Sequence, residues 1–235
     1  MPMLKDKVVV VTGGSRGIGL AIACVCGSEG ARVALLGRHR DVLRKAARQI
    51  PGAAALVADV TQAQQVTRAF RQVRERFGRV DILVNNAGVF TYKPFAQTTL
   101  ADWRRNLETN LTSIFLVTRA ALPLLARGRT PHLVNILSIS SRSAFPNCSA
   151  YTASKFGALG LTRVLAQELR EQGIRVTAVL PGATNTRLID EFDFPFHRDQ
   201  IVQPEDVAAA VLAALVAPPR TTAEEIVLTP SKGSL

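Results

Sequence analysis

Short apolar runs alternate with amphipathic stretches along the whole of this 235-residue chain. The first run, Lys7–Thr12, is continuous in valine, as expected of a parallel strand that is buried on both faces. Strict alternation of strands and helices predicts a parallel sheet with helices on both faces and right-handed crossovers. The chain has no linker, repeat or shift in composition. The sequence therefore predicts a single α/β domain over residues 1–235, built on a doubly wound parallel sheet of about seven strands.

The pattern also places the elements and the candidate site. The predicted strands are 7–12, 32–36, 54–58, 80–85, 132–138, 175–180 and 225–229. The predicted helices cover about 17–28, 41–49, 62–77, 100–126, 150–172 and 204–217, with Gly173 at the position of a C-cap glycine. Ligands of such sheets bind beyond the carboxyl ends of the strands. The residues that directly follow each strand are therefore the candidate functional residues.

Composition excludes two classes of protein. Hydrophobic residues make up 47% of the chain and are evenly spread, which excludes a disordered or low-complexity protein. Three cysteines, Cys24, Cys26 and Cys148, are too few for a disulfide scaffold, and their odd number suits a reducing compartment. The longest apolar run, Val207–Ala217, is about half as long as a bilayer span. We therefore expect a cytoplasmic protein that has no membrane partner.

The formal net charge of +11 has two readings. A basic chain is typical of proteins that bind nucleic acid or another polyanion, but it also results when basic residues are scattered over solvated faces. No block of like charges occurs, and the densest stretch, Arg68–Arg79, has helical spacing. We therefore expect no nucleic-acid partner, and we predict no metal site.

A glycine-rich turn follows the first predicted strand. Residues 12–19 read TGGSRGIG, with four glycines in seven residues, and a helix begins within them. Glycine allows a tight turn and lets a pyrophosphate approach the main-chain N–H groups, and the helix N-terminus adds partial positive charge. A plain strand-to-helix turn is the alternative. The number of glycines in this context favours a nucleotide cradle.

The end of the second predicted strand bears on the type of nucleotide. A carboxylate at this point would bind the ribose hydroxyls of NAD, whereas the chain has Gly37-Arg38. A guanidinium grips a 2′-phosphate, and Arg16 in the cradle is able to close on the same phosphate. We therefore predict NADP(H) as the cofactor. A solvated Arg38 is the alternative reading, and His39 and Arg40 are weaker candidates for the same role.

The catalytic candidates lie at the start of the helix that follows the fifth strand. Tyr151 and Lys155 are four residues apart and share one helix face. A tyrosine acts as a base near neutral pH only if its pKa falls by roughly three units from 10, and a neighbouring ammonium group supplies part of that change. In the reverse direction, the phenol protonates a developing alkoxide. Ser138, at the end of the fifth strand, is placed to donate to the same carbonyl oxygen.

Six segments together resemble the short-chain dehydrogenase/reductase (SDR) family, whose fold is Rossmann-like. Thr12–Gly19 resembles its TGxxxGIG motif, Asn85–Gly88 its NNAG motif and Tyr151–Lys155 its YxxSK motif. The other three matches are Ser138, thirteen residues before the tyrosine, Asn110 in the mid-chain helix, and Pro181–Thr186, which is similar to the PGxxxT segment. The resemblance covers essentially the whole chain and fits the branch that prefers NADP(H).

The resemblance implies a role for each matching residue. Tyr151 would be the general acid/base, Lys155 would hold the nicotinamide ribose and lower the tyrosine pKa, Ser138 would position the carbonyl, and Asn110 would hold a water in a proton relay. Asp59 and Val60 would contact the adenine, although Asp59 could equally cap the next helix. Asn86 and Ala87 would contact the adjoining ribose, and Thr184 and Thr186 the nicotinamide carboxamide and phosphate. The predicted cofactor-binding set is Gly13, Ser15, Arg16, Gly17, Ile18, Gly19, Arg38, Asp59, Val60, Asn86, Ala87, Gly88, Tyr151, Lys155, Pro181, Gly182, Thr184 and Thr186.

The chain departs from the family pattern in two places. The glycine that many members carry shortly after the catalytic serine is absent, so Ser140 or Ser141 competes with Ser138 for that role. The usual glycine pair after the last strand is replaced by Thr229–Gly233, which puts the C-terminal subunit contact in doubt.

Aromatic residues after several strands suggest the substrate class. We predict that Phe90 and Phe145 bind the substrate together with Ser138 and Tyr151, and that the pocket takes an apolar or aromatic carbonyl compound. The segment after the sixth strand adds Leu188, Ile189, Phe192, Phe194 and Phe196. Packing of these residues against the helices is the alternative reading. Cys148 is expected to have a packing role.

Three function classes follow. The first is an NADP(H)-dependent carbonyl reductase or alcohol dehydrogenase. The second is a 3-oxoacyl-[acyl-carrier-protein] reductase, whose acidic carrier would suit the basic surface near Arg127 and Arg129. The third is a non-enzymatic nucleotide-sensing module, which the complete set of catalytic candidates disfavours. From the family we expect a homodimer or homotetramer that uses helices 100–126 and 150–172.

Overall fold

The computed structural model describes residues 2–191 and 197–232, and in these ranges the chain forms one parallel sheet of seven strands. The strands are β1 (Val8–Thr12), β2 (Arg32–Gly37), β3 (Ala54–Val57), β4 (Ile82–Asn85), β5 (His132–Ile136), β6 (Arg175–Pro181) and β7 (Glu225–Leu228). Their order across the sheet is β3-β2-β1-β4-β5-β6-β7. The predicted α/β, doubly wound, Rossmann-like fold is confirmed, and the predicted strand ends differ by one or two residues.

The described ranges contain seven α-helices, and six of them cover the two faces of the sheet. They are α1 (Gly17–Ser28), α2 (Arg40–Ala47), α3 (Ala63–Phe77), α4 (Leu100–Leu107), α5 (Ser113–Leu125), α6 (Ser149–Glu168) and α7 (Pro204–Val216). The apolar residues of α1, α2 and α7 pack on one face, and those of α3, α5 and α6 pack on the other. Both faces of the central strands are therefore buried, as the continuous apolar sequences of those strands require.

The sheet reverses its winding direction at β1, and this creates the crevice in which the site lies. β1 pairs with β2 on one side and with β4 on the other, although three helices separate β4 from β1 in the chain. All five residues of β1 are buried. The loops that leave β1 and β4 therefore diverge to opposite faces, and the space between them opens at the carboxyl edge of the sheet.

The helix predicted over residues 100–126 is interrupted, and this part of the prediction is wrong. α4 ends at Leu107, a π-helical turn occupies Glu108–Thr112, and α5 continues from Ser113. A π turn carries one extra residue per turn, and apolar periodicity alone does not reveal it. The turn contains Asn110, whose side chain is buried.

The predicted end of the helix over residues 150–172 is also wrong. α6 stops at Glu168 and Leu169 is its C-cap, four residues before Gly173. Gly173 does adopt a left-handed conformation, with φ of +69°, in the turn that leads into β6. The glycine thus marks the reversal of the chain and not the last turn of the helix.

A buried histidine lies at the opposite edge of the sheet from the crevice. His132 begins β5 and is completely buried, and its Nε2 lies 2.8 Å from the Thr177 hydroxyl on β6. Burial, with a smaller contribution from the nearby positive charge of Arg175, lowers the pKa of His132 to about 3. The imidazole is therefore neutral in the folded protein over the physiological range.

The folded state should lose stability as His132 becomes protonated in the unfolded chain. The folded pKa of about 3 lies below the unfolded value near 6.5, so this contribution to stability is complete above pH 6.5 and declines as the pH falls toward 3. Between pH 7 and pH 5 we expect this residue to remove about 2 kcal/mol from the free energy of unfolding. Urea unfolding at both pH values measures the loss. His132→Gln should reduce it and His39→Gln, at an exposed position, should not; an unchanged loss in His132→Gln contradicts the prediction.

Candidate active site

A cleft of about 1610 Å³ lies at the carboxyl edge of the sheet and collects nearly all of the predicted site residues. Every predicted catalytic, cofactor-binding and substrate-binding residue lines it except Gly19 and Asn110. The first turn of α1 and the loop after β4 form one end of the cleft, and the first turn of α6 and the loop after β6 lie further along it. The strand ends thus bring together residues that are up to 173 positions apart in the chain, from Gly13 to Thr186.

The glycine-rich turn has the backbone conformation that its sequence predicts. Gly13 and Gly17 have φ of +63° and +52°, which favours glycine at both positions. A Cβ on Gly13 would lie 2.9 Å from the Asn86 amide nitrogen, so a larger residue would push apart the two loops of the crevice. No side chain caps the N-terminus of α1, whose first N–H groups remain available to an anion.

Gly19 has a packing role, and its prediction as a cofactor contact is not supported by its position. It is buried on the first turn of α1 and does not line the cleft. A Cβ at this position would lie 2.3 Å from the Asn86 amide nitrogen and 2.6 Å from the Gly13 carbonyl oxygen. The absence of a side chain therefore lets α1 pack against the loops after β1 and β4.

Thr12 joins these two loops, a role that the sequence analysis missed. Its hydroxyl oxygen accepts hydrogen bonds from the backbone N–H groups of Asn86, at 2.9 Å, and Ala87, at 3.1 Å. The Asn86 side-chain amide in turn donates to the carbonyl oxygens of Thr12, at 3.0 Å, and Gly13, at 3.2 Å. Asn86 lines the cleft, but its amide N–H groups hold the adjoining loop, so a ribose contact through them is not supported.

Two arginines and one carboxylate occupy the end of the cleft near β2 and β3. Arg16 and Arg38 line it, are exposed, and form no ion pair within the described residues, whereas the neighbouring Arg40 does not line it. The Asp59 carboxylate accepts from the Thr61 N–H and hydroxyl groups, at 3.0 and 2.8 Å. The N-cap of α3 is Gln62, so Asp59 does not cap that helix.

Tyr151, Lys155 and Ser138 meet in the buried part of the cleft. The Lys155 ammonium nitrogen lies 5.7 Å from the centre of the Tyr151 ring and donates to the Ile136 carbonyl oxygen at 3.2 Å. The Ser138 side chain lies near enough to the Tyr151 phenol to lower its pKa, and the oxygen of Ser138 accepts from the Ser140 N–H at 3.1 Å. Ser141 is buried and does not line the cleft, and Ser138 is the serine whose side chain lowers the pKa of the phenol. The geometry therefore favours Ser138 over Ser140 and Ser141.

Burial dominates the proton affinities of this group. It raises the pKa of Tyr151 to about 12, despite the opposing effect of the Ser138 hydrogen bond, and it lowers the pKa of Lys155 to about 8. We expected the ammonium to lower the pKa of the phenol, but in the protein alone burial outweighs any such effect. Both residues are thus shifted toward their neutral forms.

Asn110 lies behind the wall of the cleft and not in it. Its amide oxygen accepts from the Val89 N–H at 2.8 Å, and its amide nitrogen donates to the Val89 carbonyl at 2.9 Å and to the Ser154 hydroxyl at 3.0 Å. A Cβ on Gly88 would lie 3.4 Å from the Asn110 amide oxygen and 3.9 Å from the Lys155 nitrogen. The side chain of Asn110 therefore fixes the loop that passes beside Lys155.

An aromatic pocket adjoins the phenol. Phe90, Cys148 and Tyr151 form a buried cluster with the partly buried Tyr92 and Phe145. The rings of Phe90 and Tyr151 pack edge to face, with centroids 4.7 Å apart. Burial raises the pKa of the Cys148 thiol to about 11, which agrees with the expected packing role. Phe192, Phe194 and Phe196 lie outside the described residues.

The segment after β6 crosses to the first turn of α1. A Cβ on Gly17 would lie 3.2 Å from a Thr186 methyl group, so Thr186 faces the glycine-rich turn. Thr184 forms a parallel bridge with Val202, and Asn185 accepts from Arg198 at 3.0 Å. These contacts fix the two ends of the segment that the sequence analysis associated with the substrate pocket.

The described residues offer neither a metal site nor a membrane-spanning helix. They contain no group of three or more potential metal ligands. Among the same residues, no helix has both the length and the apolar character needed to cross a membrane.

Comparison with known proteins links this geometry to one family. The family model described as short chain dehydrogenase matches residues 7–193. An uncharacterised oxidoreductase of Staphylococcus aureus is 33% identical over 232 residues, which is 98% of this chain and 100% of that protein.

Two solved structures share the fold across nearly their whole length. One is a metagenomic short-chain oxidoreductase in complex with NADP, with 32% identity, a TM-score of 0.85, and 98% of this chain and 100% of that chain covered. The other is a 3-ketoacyl-(acyl-carrier-protein) reductase from Brucella melitensis complexed with NADH, with 28% identity, a TM-score of 0.90, and 97% and 99% covered. The fold thus occurs with either dinucleotide, and the choice depends on the residues of each chain.

Proposed function

The chain belongs to the short-chain dehydrogenase/reductase family of oxidoreductases, and we propose that it interconverts a carbonyl compound and a secondary alcohol with NADP(H). One observation carries the proposal. Tyr151, Ser138 and Lys155 meet in the same cleft whose other end holds the glycine-rich turn and Arg38. A phenol, a hydroxyl and an amine that line one buried part of a cleft suit proton transfer to a carbonyl oxygen.

The residues of the cleft fit a dinucleotide with a 2′-phosphate. The glycine-rich turn and the uncapped N-terminus of α1 suit the pyrophosphate. Arg38 and Arg16 suit the 2′-phosphate, and the similar metagenomic oxidoreductase is in complex with NADP. When bound, the nicotinamide supplies or accepts the hydride that changes the oxidation state of the carbonyl carbon.

Tyr151 acts as the proton donor in the direction of carbonyl reduction. With a pKa of about 12 in the protein alone, its phenol is fully protonated near neutral pH and ready to donate. The Ser138 hydroxyl, which already contacts the phenol, holds the carbonyl oxygen at the same point. In the direction of oxidation the phenol must lose its proton, which requires positive charge beside it. Below its pKa of about 8, Lys155 supplies part of that charge.

The aromatic pocket supports an apolar or aromatic carbonyl substrate. Phe90, Tyr92, Phe145 and Cys148 line the cleft beside Tyr151, and none of them carries a charge that would select an ionic substrate. A 3-oxoacyl-[acyl-carrier-protein] reductase is the second candidate. The similarity to the Brucella enzyme supports it, as do the exposed Arg127 and Arg129, which suit an acidic carrier.

We also propose assembly into a homodimer or homotetramer through α4, α5 and α6. Large apolar side chains remain exposed on these helices, and they are Leu100, Trp103, Phe115, Phe156 and Val164. Exposed apolar residues concentrated on adjoining helices favour a protein interface. Light scattering tests the assembly, and a particle of 25.3 kDa contradicts it. The three free cysteines support a cytoplasmic location.

Removal of the phenolic hydroxyl should abolish turnover but not cofactor binding. In Tyr151→Phe we expect kcat for ketone reduction to fall by about 10²- to 10⁴-fold, the usual contribution of a general acid. NADPH binding, followed by the fluorescence of the reduced nicotinamide, should remain within a few-fold of wild type. Tyr92→Phe, at the other tyrosine in the cleft, is the matched control and should keep kcat within a few-fold.

A panel of ketones, diketones and 3-oxoacyl thioesters measured at 340 nm identifies the substrate class for these assays. Unchanged turnover in Tyr151→Phe contradicts the assignment of the acid. A wild-type protein that binds NADPH but reduces no member of the panel favours the nucleotide-sensing alternative.

Arg38 should set the preference for the phosphorylated cofactor. Loss of a charge-assisted hydrogen bond costs about 2 kcal/mol, so Arg38→Ala should lower kcat/KM for NADPH by about 30-fold and leave the value for NADH nearly unchanged. Arg40→Ala removes an exposed arginine that does not line the cleft and should change neither value by more than about two-fold. A wild-type preference for NADH, or an Arg38→Ala variant that still prefers NADPH, contradicts the cofactor assignment.

A further inference from the structure

Ser154 lies between Tyr151 and Lys155 in the sequence but does not face the cleft. It is one residue before Lys155 on α6, its exposed fraction is 0%, and it does not line the cleft. A direct contact with substrate or cofactor is therefore excluded for this hydroxyl in the structure. Its hydroxyl instead lies against the π-helical turn at Glu108–Thr112, on the side away from the cleft.

The Ser154 hydroxyl makes two hydrogen bonds that join α6 to that turn. It donates its only hydrogen to the Tyr151 carbonyl oxygen at 2.6 Å. Its oxygen accepts from the Asn110 side-chain amide at 3.0 Å. Because both groups are buried, loss of the hydroxyl would leave an Asn110 N–H without this acceptor.

Asn110 is itself held by the wall of the cleft. Both polar groups of its amide bond to the backbone of Val89, and Val89 lines the cleft next to Gly88. An unbroken series of hydrogen bonds therefore runs from Val89 through Asn110 and Ser154 to the backbone of Tyr151. It joins two walls of the cleft that belong to different segments of the chain.

We propose that Ser154 is a positioning residue that fixes the first turn of α6 relative to the loop at Gly88 and Val89. The hydroxyl sets where the Tyr151 phenol and the Lys155 amine stand relative to that wall. This inference rests on the proposed function in one respect, since it assigns catalytic importance to the position of Tyr151. A merely structural role would be the alternative, in which Ser154 only contributes to stability.

The chain offers a matched control on the same helix. Thr162 is buried on α6, donates to the Ala158 carbonyl oxygen at 2.6 Å and accepts from the Asn135 side-chain amide at 2.9 Å. It thus makes the same pair of bonds as Ser154, two turns further along the helix, and does not line the cleft. Removal of either hydroxyl should destabilise the fold to a similar extent, and only Ser154 should affect the chemistry.

The kinetic test compares Ser154→Ala with Thr162→Val. For Ser154→Ala we expect kcat to fall by about 10-fold or more, the scale of a slightly misplaced reacting group, while the Kd for NADPH changes by less than about three-fold. Thr162→Val should keep kcat within about two-fold of wild type at a comparable loss in the urea midpoint. Ser154→Cys keeps the shape and weakens both bonds, and it provides the same comparison where the alanine variant does not fold. Equal kcat values in the Ser154 and Thr162 variants overturn the proposal.

A second test needs no turnover and no cofactor. The chain has only two tyrosines, so in a Tyr92→Phe background the ¹³Cζ resonance of labelled tyrosine reports on Tyr151 alone. Ser154→Ala should shift or broaden this resonance in the protein alone, and Thr162→Val should leave it in place. An unchanged resonance in the Ser154 variant overturns the proposal. If wild type reduces no substrate and the resonance still moves, the proposed function fails and the positioning role stands.

Discussion

Burial of the first two turns of α6 is the constraint on which the proposed chemistry of this molecule depends. These turns place a phenol and an amine where water is excluded, and exclusion of water favours the neutral form of each. The pKa of Tyr151 rises to about 12 and that of Lys155 falls to about 8, and burial is the largest cause of both shifts. The protein alone therefore holds a proton donor and not a base. For the opposite direction of the proposed reaction, Lys155 supplies part of the positive charge and whatever occupies the cleft must supply the rest, which would couple the direction of proton transfer to the bound ligand.

The distribution of charge along the chain complements this buried centre. Residues 1–99 carry 15 of the 29 Lys and Arg residues but only 6 of the 18 Asp and Glu residues, so most of the net charge of +11 resides there. These residues build β1 to β4, and with them the glycine-rich turn and the end of the cleft that holds Arg16 and Arg38. The same half of the chain thus supplies a positive potential where a multiply charged anion would bind. A site for negative charge and a site for proton transfer are separated along one cleft.

The sequence predicts those features that local patterns encode. Continuous apolar runs such as the valines of β1 identify buried parallel strands, and the glycines of residues 12–19 identify a turn that only positive φ allows. Since the strands are parallel, their carboxyl ends meet at one edge, and this is why residues as distant as Arg38 and Tyr151 were predicted to share a site. Contacts between distant segments leave no such local pattern. The bond from Asn86 to the Thr12 loop and the packing of Gly19 against Asn86 therefore emerge only from the folded chain.

The π-helical turn is another feature that the local sequence pattern does not predict, and it has a definite structural role. Apolar periodicity predicts one helix from Leu100 to Ala126, and the extra residue of the turn at Glu108–Thr112 disturbs it too little to be seen. The turn nevertheless has a specific role, because it carries Asn110. The buried side chain of Asn110 bonds to both the N–H and the carbonyl group of Val89.

A second asparagine makes a comparable contact with α6 further along the helix. Asn135 on β5 donates to Thr162, and the Asn135 amide oxygen accepts from Asn85 at 2.9 Å. α6 is thus held at two points, each by a hydrogen bond between a buried hydroxyl group and a buried side-chain amide. Such directional bonds fix the position of a helix along its axis, whereas apolar contacts alone allow the helix to shift. Only the pair nearer the N-terminus lies beside the reacting groups. The same type of bond therefore stabilises the helix at one end, and at the other end it also holds the turn that carries the proposed acid, Tyr151.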